Sequence, residues 1–291
     1  MLGFVLATGY AAVILFAIRE LAFFRAPGLS PRVVSAAFLL KVLAGTGLWY
    51  IYTYVHVDRA TADLYRYFDD GNIMFSALPD HPADYVRMLS GIGNDQPHFD
   101  TRYYLVMNNW YRQYESNMYN DAHTMIRLNA FLRLFSFGHI HVHTVFACFL
   151  STIGLVALYK AFVVRLKGHE RWLLGALFLL PSVLFWASGV IKESLLMFGL
   201  GTFIYTLLEM QRSGVRPWMV VVLPFSAVLL FFLKFYVLLS MVPALIAYLW
   251  CRGTGGRRPW FKFAATYAVF IIAGLNSELV YPGFDILEVL W

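Results

Sequence analysis

The stretch 140-IHVHTVFACFLSTIGLVALYKAFV-163 decides the class of fold, because it is a long apolar run. Lys160 is its one lysine, and it contains no arginine, aspartate or glutamate. A helix needs about 20 mostly apolar residues to cross the hydrocarbon core of a bilayer. Its backbone groups are then satisfied within the helix, as a lipid environment requires. The stretch therefore predicts a membrane-spanning helix.

Similar runs occur along the rest of the chain and predict an all-α, polytopic transmembrane helix bundle of about eight spans. The runs are approximately 2–18, 33–54, 140–163, 172–190, 191–210, 217–233, 235–250 and 260–276. The composition agrees, since 60% of residues are hydrophobic, 14% are charged and the mean hydropathy is +0.62. A soluble domain has about 25% charged residues. Two cysteines exclude a disulfide framework.

Basic residues predict the orientation, because cytoplasmic loops are enriched in lysine and arginine. Alternate loops hold 13 of the 23 basic residues: Arg19, Arg25, Arg32, Lys160, Arg165, Lys167, Arg171, Arg212, Arg216, Arg252, Arg257, Arg258 and Lys262. The N-terminus is then outside, and the first run is a retained anchor because no basic region precedes it. Small basic clusters between apolar runs are typical of topology signals and do not indicate nucleic acid. The apolar runs make membrane lipids the expected partners.

This topology divides the chain into four parts. Residues 1–54 form two transmembrane helices, 55–139 an extracytoplasmic loop, 140–276 six transmembrane helices and 277–291 an extracytoplasmic tail. The long loop is rich in aromatic residues, which suit a bilayer surface. Within it, residues 122–138 place Met125, Leu128, Leu132 and Phe135 at helical spacing. We expect an amphipathic interfacial helix there.

The densest acidic cluster follows the second run and holds the candidate catalytic residues Asp63, Asp69 and Asp70. If residues 62–70 are helical, Asp63 and Asp70 share a face and Asp69 points aside. A carboxylate in a partly dry pocket can take a proton from an attacking hydroxyl, as glycosyl or phosphoryl transfer requires. The alternative is that these acids cap and solvate a helix start.

Cationic candidates for binding an anionic substrate lie at the outward turns. Lys192 and Glu193 interrupt 181-PSVLFWASGVIKESLLMFGLG-201, and ionisable groups next to hydrocarbon usually mark a site. A cationic rim for a lipid headgroup would be completed by Lys234 and Tyr236, with Arg127 and Arg133. The alternative for each is interfacial anchoring, and the same snorkelling is expected of Lys41 in the second run.

The histidines support metal binding less than the acidic and cationic residues support a substrate site. His139, His141 and His143 alternate, and on a helix this spacing spreads them around the axis instead of on one face. We predict no metal site, while the sequence leaves the cofactor unknown and a divalent metal ion open.

The acidic outward loop with Asp63, Asp69 and Asp70, the interfacial-helix region and the stretch 180-LPSVLFWASGVIKESLLMFGLG-201 resemble the GT-C class of polytopic glycosyltransferases. The resemblance covers about residues 55–210. It implies a sugar linked to polyprenyl phosphate as donor, in the cytoplasmic (inner) membrane of a bacterium. By the same resemblance, Lys192, Arg127 or Lys234 would hold the phosphate, and Asp63 or Asp70 would deprotonate an extracytoplasmic acceptor.

The alternative interpretation is a transporter, flippase or assembly subunit for a lipid-linked glycan. Lys192, Glu193 and Lys234 would then line a substrate pathway. A third possibility is a structural scaffold without a small-molecule site. Sugar, acceptor, oligomeric state and protein partners are not readable from the sequence.

Overall fold

A computed structural model describes residues 1–56, 58–111 and 119–277. Within these residues the chain is helical and contains no strand, which confirms the predicted all-α class. The helices are α1 (Leu2–Glu20), α2 (Pro31–Tyr54), α3 (Asp63–Phe75), α4 (Ala77–Asp80), α5 (Pro82–Ser90), α6 (Pro97–Arg102), α7 (Ala122–Ser136), α8 (Ile140–Val163), α9 (Glu170–Leu174), α10 (Pro181–Trp186), α11 (Lys192–Ser213), α12 (Pro217–Gly253) and α13 (Pro259–Leu275).

Among the described helices, α1, α2, α8, α11 and α12 are long and apolar enough to cross a membrane. The predicted span 172–190 differs most from the structure. It is divided among α9, a π-helical turn at Gly175–Leu179 and α10, which begins at Pro181. Pro181 has no N–H to donate and fits the first turn of a helix, so it starts a new helix and does not extend α9.

The predicted spans 217–233 and 235–250 are joined in α12, with non-helical backbone at Lys234 (φ −152°, ψ 82°). The break falls at the residue that separates the two apolar runs in the sequence. The chain also divides there into two compact units, Met1–Leu233 and Lys234–Trp291. The predicted tail 277–291 lies outside the described residues, apart from Ser277.

In the first unit, α8 is the central helix and is buried along most of its length. Helices α1, α2, α7 and α11 pack around it. Helix α11 approaches most closely, because both helices have glycine at the crossing. A Cβ atom on Gly154 would lie 2.1 Å from the Met197 carbonyl oxygen, and one on Gly201 would lie 2.0 Å from the Gly154 carbonyl oxygen. Small residues at such crossings allow membrane helices to pack backbone against backbone.

The segment between α2 and α8 forms a separate layer with its own aromatic and methionine core, including Tyr67, Met74, Met88, Phe99 and Trp110. Its largest contact is between α3 and α7. The predicted helix at 122–138 is confirmed as α7. Of its apolar residues at helical spacing, Met125 and Leu132 are buried in the protein, whereas Phe135 is 42% exposed. Ile126, Asn129 and Ala130 are buried in addition, because α7 packs against both α3 and α8.

The second unit contains the later part of α12 and all of α13, whose start is marked by Pro259. Lys262 of α13 is buried and donates a hydrogen bond to the hydroxyl of Thr254, the first residue of the turn after α12. This contact ties the two helices together at their basic connection.

Candidate functional site

The first acidic residue of α3 lies at an exposed helix start. Asp58 closes the turn before α3, since its carboxylate accepts a hydrogen bond from the Ala60 N–H at 2.9 Å. Asp63 is the first residue of α3 and is exposed. Its charge lies in the first helical turn, where the helix dipole favours an acid. Asp58 therefore closes the turn before α3, and α3 itself has no side-chain cap. Asp63 keeps an accessible carboxylate, a position that also fits the alternative that these acids solvate a helix start.

Lys192 lies at the N-terminus of α11 and faces the same region. Its Nζ atom is 2.7 Å from the Asp121 Oδ1 atom, and the two side chains are 19% and 34% exposed. The same Nζ atom lies 5.5 Å from the ring centroid of Tyr67. Asp121 directly precedes α7. Three helices, α3, α7 and α11, therefore bring their N-terminal charges to one place.

Tyr67 joins these charges into one group. Its side chain is 1% exposed, and burial is the largest cause of the raised pKa of its hydroxyl. The carboxylates of Asp63, Asp121 and Glu193 raise that pKa further, in this order. We call Asp63, Tyr67, Asp121, Lys192 and Glu193 the Tyr67 cluster. It combines Lys192 and three carboxylates next to an aromatic wall. Arg66 adds a second cation, and its charge lowers the pKa of Tyr67.

Asp69 lies outside the Tyr67 cluster, in a bidentate pair with Arg59. The Arg59 Nε and Nη2 atoms donate to the two Asp69 oxygens at 2.8 and 2.7 Å. The hydrogen bond to Asp69 is the main reason that the pKa of Arg59 is raised. The guanidinium also lies over the Tyr65 ring, 3.8 Å from its centroid. Asp69 is thus held by an arginine that closes the loop before α3.

Asp70 is fully buried. Its two oxygens accept hydrogen bonds from the backbone N–H groups of Asn108 and Asn109, both at 2.8 Å. Burial raises the pKa of Asp70 to about 6, and these two hydrogen bonds oppose the rise. Asp63 and Asp70 have the spacing of one helix face, but Asp63 is exposed, whereas Asp70 is covered by the backbone of residues 108 and 109. Their environments are therefore opposite.

The two arginines of α7 make contacts within the core of this layer. Arg127 donates from Nε to the Met88 carbonyl at 2.9 Å and from Nη1 to the Tyr119 hydroxyl at 3.0 Å. Arg133 lies over the Phe75 ring, 5.6 Å from its centroid, and burial lowers its pKa. These contacts attach α7 to its neighbours and do not bring either arginine to Lys192.

Lys234 and Tyr236 belong to the second unit. Lys234 has the non-helical backbone described above, and Tyr236 is 59% exposed. An exposed tyrosine at an apolar helix end is typical of a residue at a bilayer surface.

Sequence reasoning missed Asp121 and Tyr67. Tyr67 follows Asp63 by four residues, which is the spacing of neighbours on a helix surface, and this signal was available. Asp121 precedes the helix that starts at residue 122, a position that favours an acid. Its contact with Lys192 joins distant parts of the chain and has no local signal.

Lys41 also differs from its prediction. It was expected to snorkel to the surface, but it is 1% exposed near the middle of α2. Its Nζ atom has no hydrogen-bond partner among the described residues. A lysine inside a helix bundle at this depth is costly and usually functional.

The histidines make separate structural contacts. His143 is buried and its two ring nitrogens lie 2.7 Å from the Asn129 Oδ1 and Ser136 Oγ atoms. His141 stacks on Phe4, with ring centroids 4.0 Å apart. Within residues 1–56, 58–111 and 119–277, no three histidine, cysteine or acidic side chains are grouped so that they could hold a metal ion.

Comparison of the chain with protein-family models, with curated proteins and with solved structures found no match. The features of the chain that bear on function are therefore the geometry of the Tyr67 cluster and the resemblance of residues 55–210 to the GT-C class.

Proposed function

We propose that the protein is an integral membrane glycosyltransferase that moves a sugar from a polyprenyl-phosphate carrier to an extracytoplasmic acceptor. One observation carries the proposal: Lys192 and the carboxylate of Asp63 belong to a single cluster around Tyr67. A transferase of this type needs a cation for the donor phosphate and a base for the acceptor within one site.

In the proposed reaction, Lys192 and the N-terminus of α11 bind the donor phosphate. This helix end has no side-chain capping bond, and the dipole at a helix N-terminus favours an anion. The phosphate displaces Asp121 from Lys192, which preserves the charge balance around the lysine. The bound donor thus takes over the position of a carboxylate.

Asp63 is the proposed general base because its carboxylate is accessible. It takes the proton from the acceptor hydroxyl while the acceptor oxygen forms a bond to the anomeric carbon. The bond between that carbon and the phosphate oxygen breaks, and the polyprenyl phosphate leaves with the electron pair. This single displacement inverts the anomeric configuration.

The proposed setting is the cytoplasmic membrane of a bacterium, with the Tyr67 cluster at the outer surface. The polyprenyl chain of the donor would remain among membrane lipids while its phosphate enters the cluster. Lys234, Tyr236, Arg127 and Arg133 stay proposed as contributors to the surface that attracts the donor, and Asp69 and Asp70 as supports of α3.

The test is transfer from a synthetic polyprenyl-phosphate sugar in vesicles that contain the purified protein. Asp63→Asn should lower the rate by about 10²- to 10⁴-fold, the usual contribution of a general base. Asp95 is exposed and is not a member of the Tyr67 cluster, so Asp95→Asn should keep the wild-type rate. Native mass spectrometry should show polyprenyl phosphate on the wild type and its loss in Lys192→Ala. Full transfer by Asp63→Asn contradicts the proposal.

The buried Lys41 favours a second candidate, a transporter, flippase or assembly subunit for a lipid-linked glycan. Polar pathways through membranes are lined by ionisable side chains of this kind. Lys41→Met removes the charge and keeps a long side chain. If the second candidate holds, this variant loses movement of lipid-linked glycan across vesicles; if the protein is a transferase, transfer on one side of the membrane is unchanged.

A further inference from the structure

An apolar pocket of about 520 Å³ lies within the first unit, away from the Tyr67 cluster. It is formed by the segment after α1, by α8, by α11 and by the first part of α12. Its lining is strongly aromatic and includes Phe24, Phe149, Phe198, Tyr205, Trp218 and Phe225. Pockets for small ligands usually have volumes of roughly 300–1,000 Å³ and largely apolar walls.

One buried polar group in this lining is not satisfied. Thr206 of α11 is fully buried, and its Oγ1 atom has no hydrogen-bond partner within the described part of the chain. Thr202, one turn earlier in the same lining, donates to the Phe198 carbonyl at 2.7 Å. A buried hydroxyl without a partner costs about 1–3 kcal/mol. The Thr206 hydroxyl therefore calls for an acceptor from outside the protein.

One end of the pocket is basic. Arg212 lies in the last turn of α11, two turns after Tyr205, and Arg216 directly precedes α12. Both arginines are exposed. Lys160 places its Nζ atom 4.9 Å from the Phe23 ring centroid and 5.8 Å from that of Tyr205. The Glu209 Oε2 atom lies 3.9 Å from the Arg212 Nη1 atom, and this carboxylate offsets one of the positive charges. Three cations and one carboxylate leave this end with a net positive charge.

The chemical character of the pocket changes in one direction along α11. At 1.5 Å per residue, Thr206 lies about 9 Å from Arg212, and Phe198 lies about 12 Å further on. The start of α12 runs beside α11 in the opposite direction, since Trp218 stacks on Tyr205 and Phe225 contacts Phe198. The order is therefore cations, then a hydroxyl donor, then aromatic walls.

We propose that this pocket binds one anionic glycerophospholipid from the surrounding bilayer. The phosphate contacts Arg212 and Arg216, an ester carbonyl accepts the hydrogen bond of Thr206, and an acyl chain fills the space towards Phe198. Anionic lipids are attracted to basic residues at the membrane surface, whereas a zwitterionic headgroup gains little from them. The site is independent of the proposed transferase reaction.

The test is lipid binding to the delipidated full chain by native mass spectrometry. Phosphatidylglycerol and phosphatidylcholine with identical acyl chains serve as the two probes. We expect one tightly held phosphatidylglycerol, with affinity at least about tenfold above that of phosphatidylcholine, since each basic residue near a lipid surface contributes roughly 1 kcal/mol. Arg212→Gln with Arg216→Gln should remove the preference, and Thr206→Val should lower phosphatidylglycerol affinity about fivefold.

A pair of valine variants separates pocket binding from general contact with lipid. Val222→Phe fills the pocket and should abolish binding of both lipids. Val220→Phe is the matched control, since Val220 is 60% exposed and does not line the pocket. Equal affinity for the two lipids, or wild-type binding by Val222→Phe with intact monodisperse protein, would overturn the proposal.

Discussion

At the scale of single residues, the adjacent acids Asp69 and Asp70 show how position within α3 decides what a carboxylate does. Asp69 shares an exposed, bidentate pair with Arg59. Asp70 is buried and holds the backbone of residues 108 and 109. The carboxylates of Asp69 and Asp70 both position the chain around α3. Asp63 is the third acid of the group, and its carboxylate stays accessible.

Replacing Asp70 by alanine should destabilise the protein. Alanine has no side-chain acceptor, so the backbone N–H groups of Asn108 and Asn109 both lose their partner. We expect a loss of about 1–3 kcal/mol in the free energy of unfolding. Asp69→Ala is the matched control and should cost less than about 1 kcal/mol, because its pair with Arg59 is solvent-exposed. Thermal unfolding in detergent at neutral pH measures both, and equal losses would contradict this assignment.

Asp70 should also make stability depend on pH. Its pKa rises from 3.8 to about 6 in the folded protein, so the folded state binds this proton more tightly than the unfolded state. The stabilisation is complete below about pH 4 and is lost as the pH rises through 6. Between pH 5 and pH 7 the wild type should lose about 1 kcal/mol relative to Asp70→Asn. Parallel pH profiles of unfolding for the two proteins would argue against a raised pKa.

At the scale of helices, α8 and α11 cross at a short distance because Gly154 and Gly201 have no side chains. Gly154→Ala and Gly201→Ala each place a Cβ atom about 2 Å from a backbone oxygen of the other helix, which forces the helices apart. We expect each to cost about 1–3 kcal/mol. Gly47→Ala in α2 meets nothing within 4 Å and should be neutral or stabilising. Melting temperatures of the three variants test the crossing, and an unchanged value for Gly154→Ala would contradict it.

Sequence reasoning predicted the elements where one physical effect dominates. Helix α8 begins and ends at the predicted residues 140 and 163. A long apolar run in a bilayer forms a helix, because the helix satisfies its own backbone hydrogen bonds. The run 172–190 was predicted as one span because hydropathy takes no account of the Pro181 ring, which starts a new helix. The burial of Asn129 on α7 was not predicted, because it comes from packing against α3 and α8, a tertiary effect.

At the scale of the whole molecule, the candidate site shows the same limit on prediction: contacts between distant parts of the chain have no local sequence signal. Lys192 and Asp63 were recognised because charges next to apolar runs are conspicuous in the sequence. Tyr67 had a helical spacing signal, whereas the pairing of Lys192 with Asp121 arises only when α3, α7 and α11 pack together. Lys41 was predicted to snorkel because a sequence gives the depth of a lysine but not which face of its helix is covered.

Orientation links the two proposed sites, since the Tyr67 cluster and the basic lipid pocket lie at opposite ends of α11. The charge distribution predicts that Asp95 is outside and His169 inside. Both are exposed, and neither substitution removes a lysine or arginine. In a Cys251→Ser background, where Cys148 is buried, a membrane-impermeant maleimide should label Asp95→Cys in intact spheroplasts and His169→Cys only after permeabilisation. The reverse pattern would move the Tyr67 cluster to the cytoplasmic side, where an extracytoplasmic acceptor is out of reach, while leaving the lipid pocket available to the other leaflet.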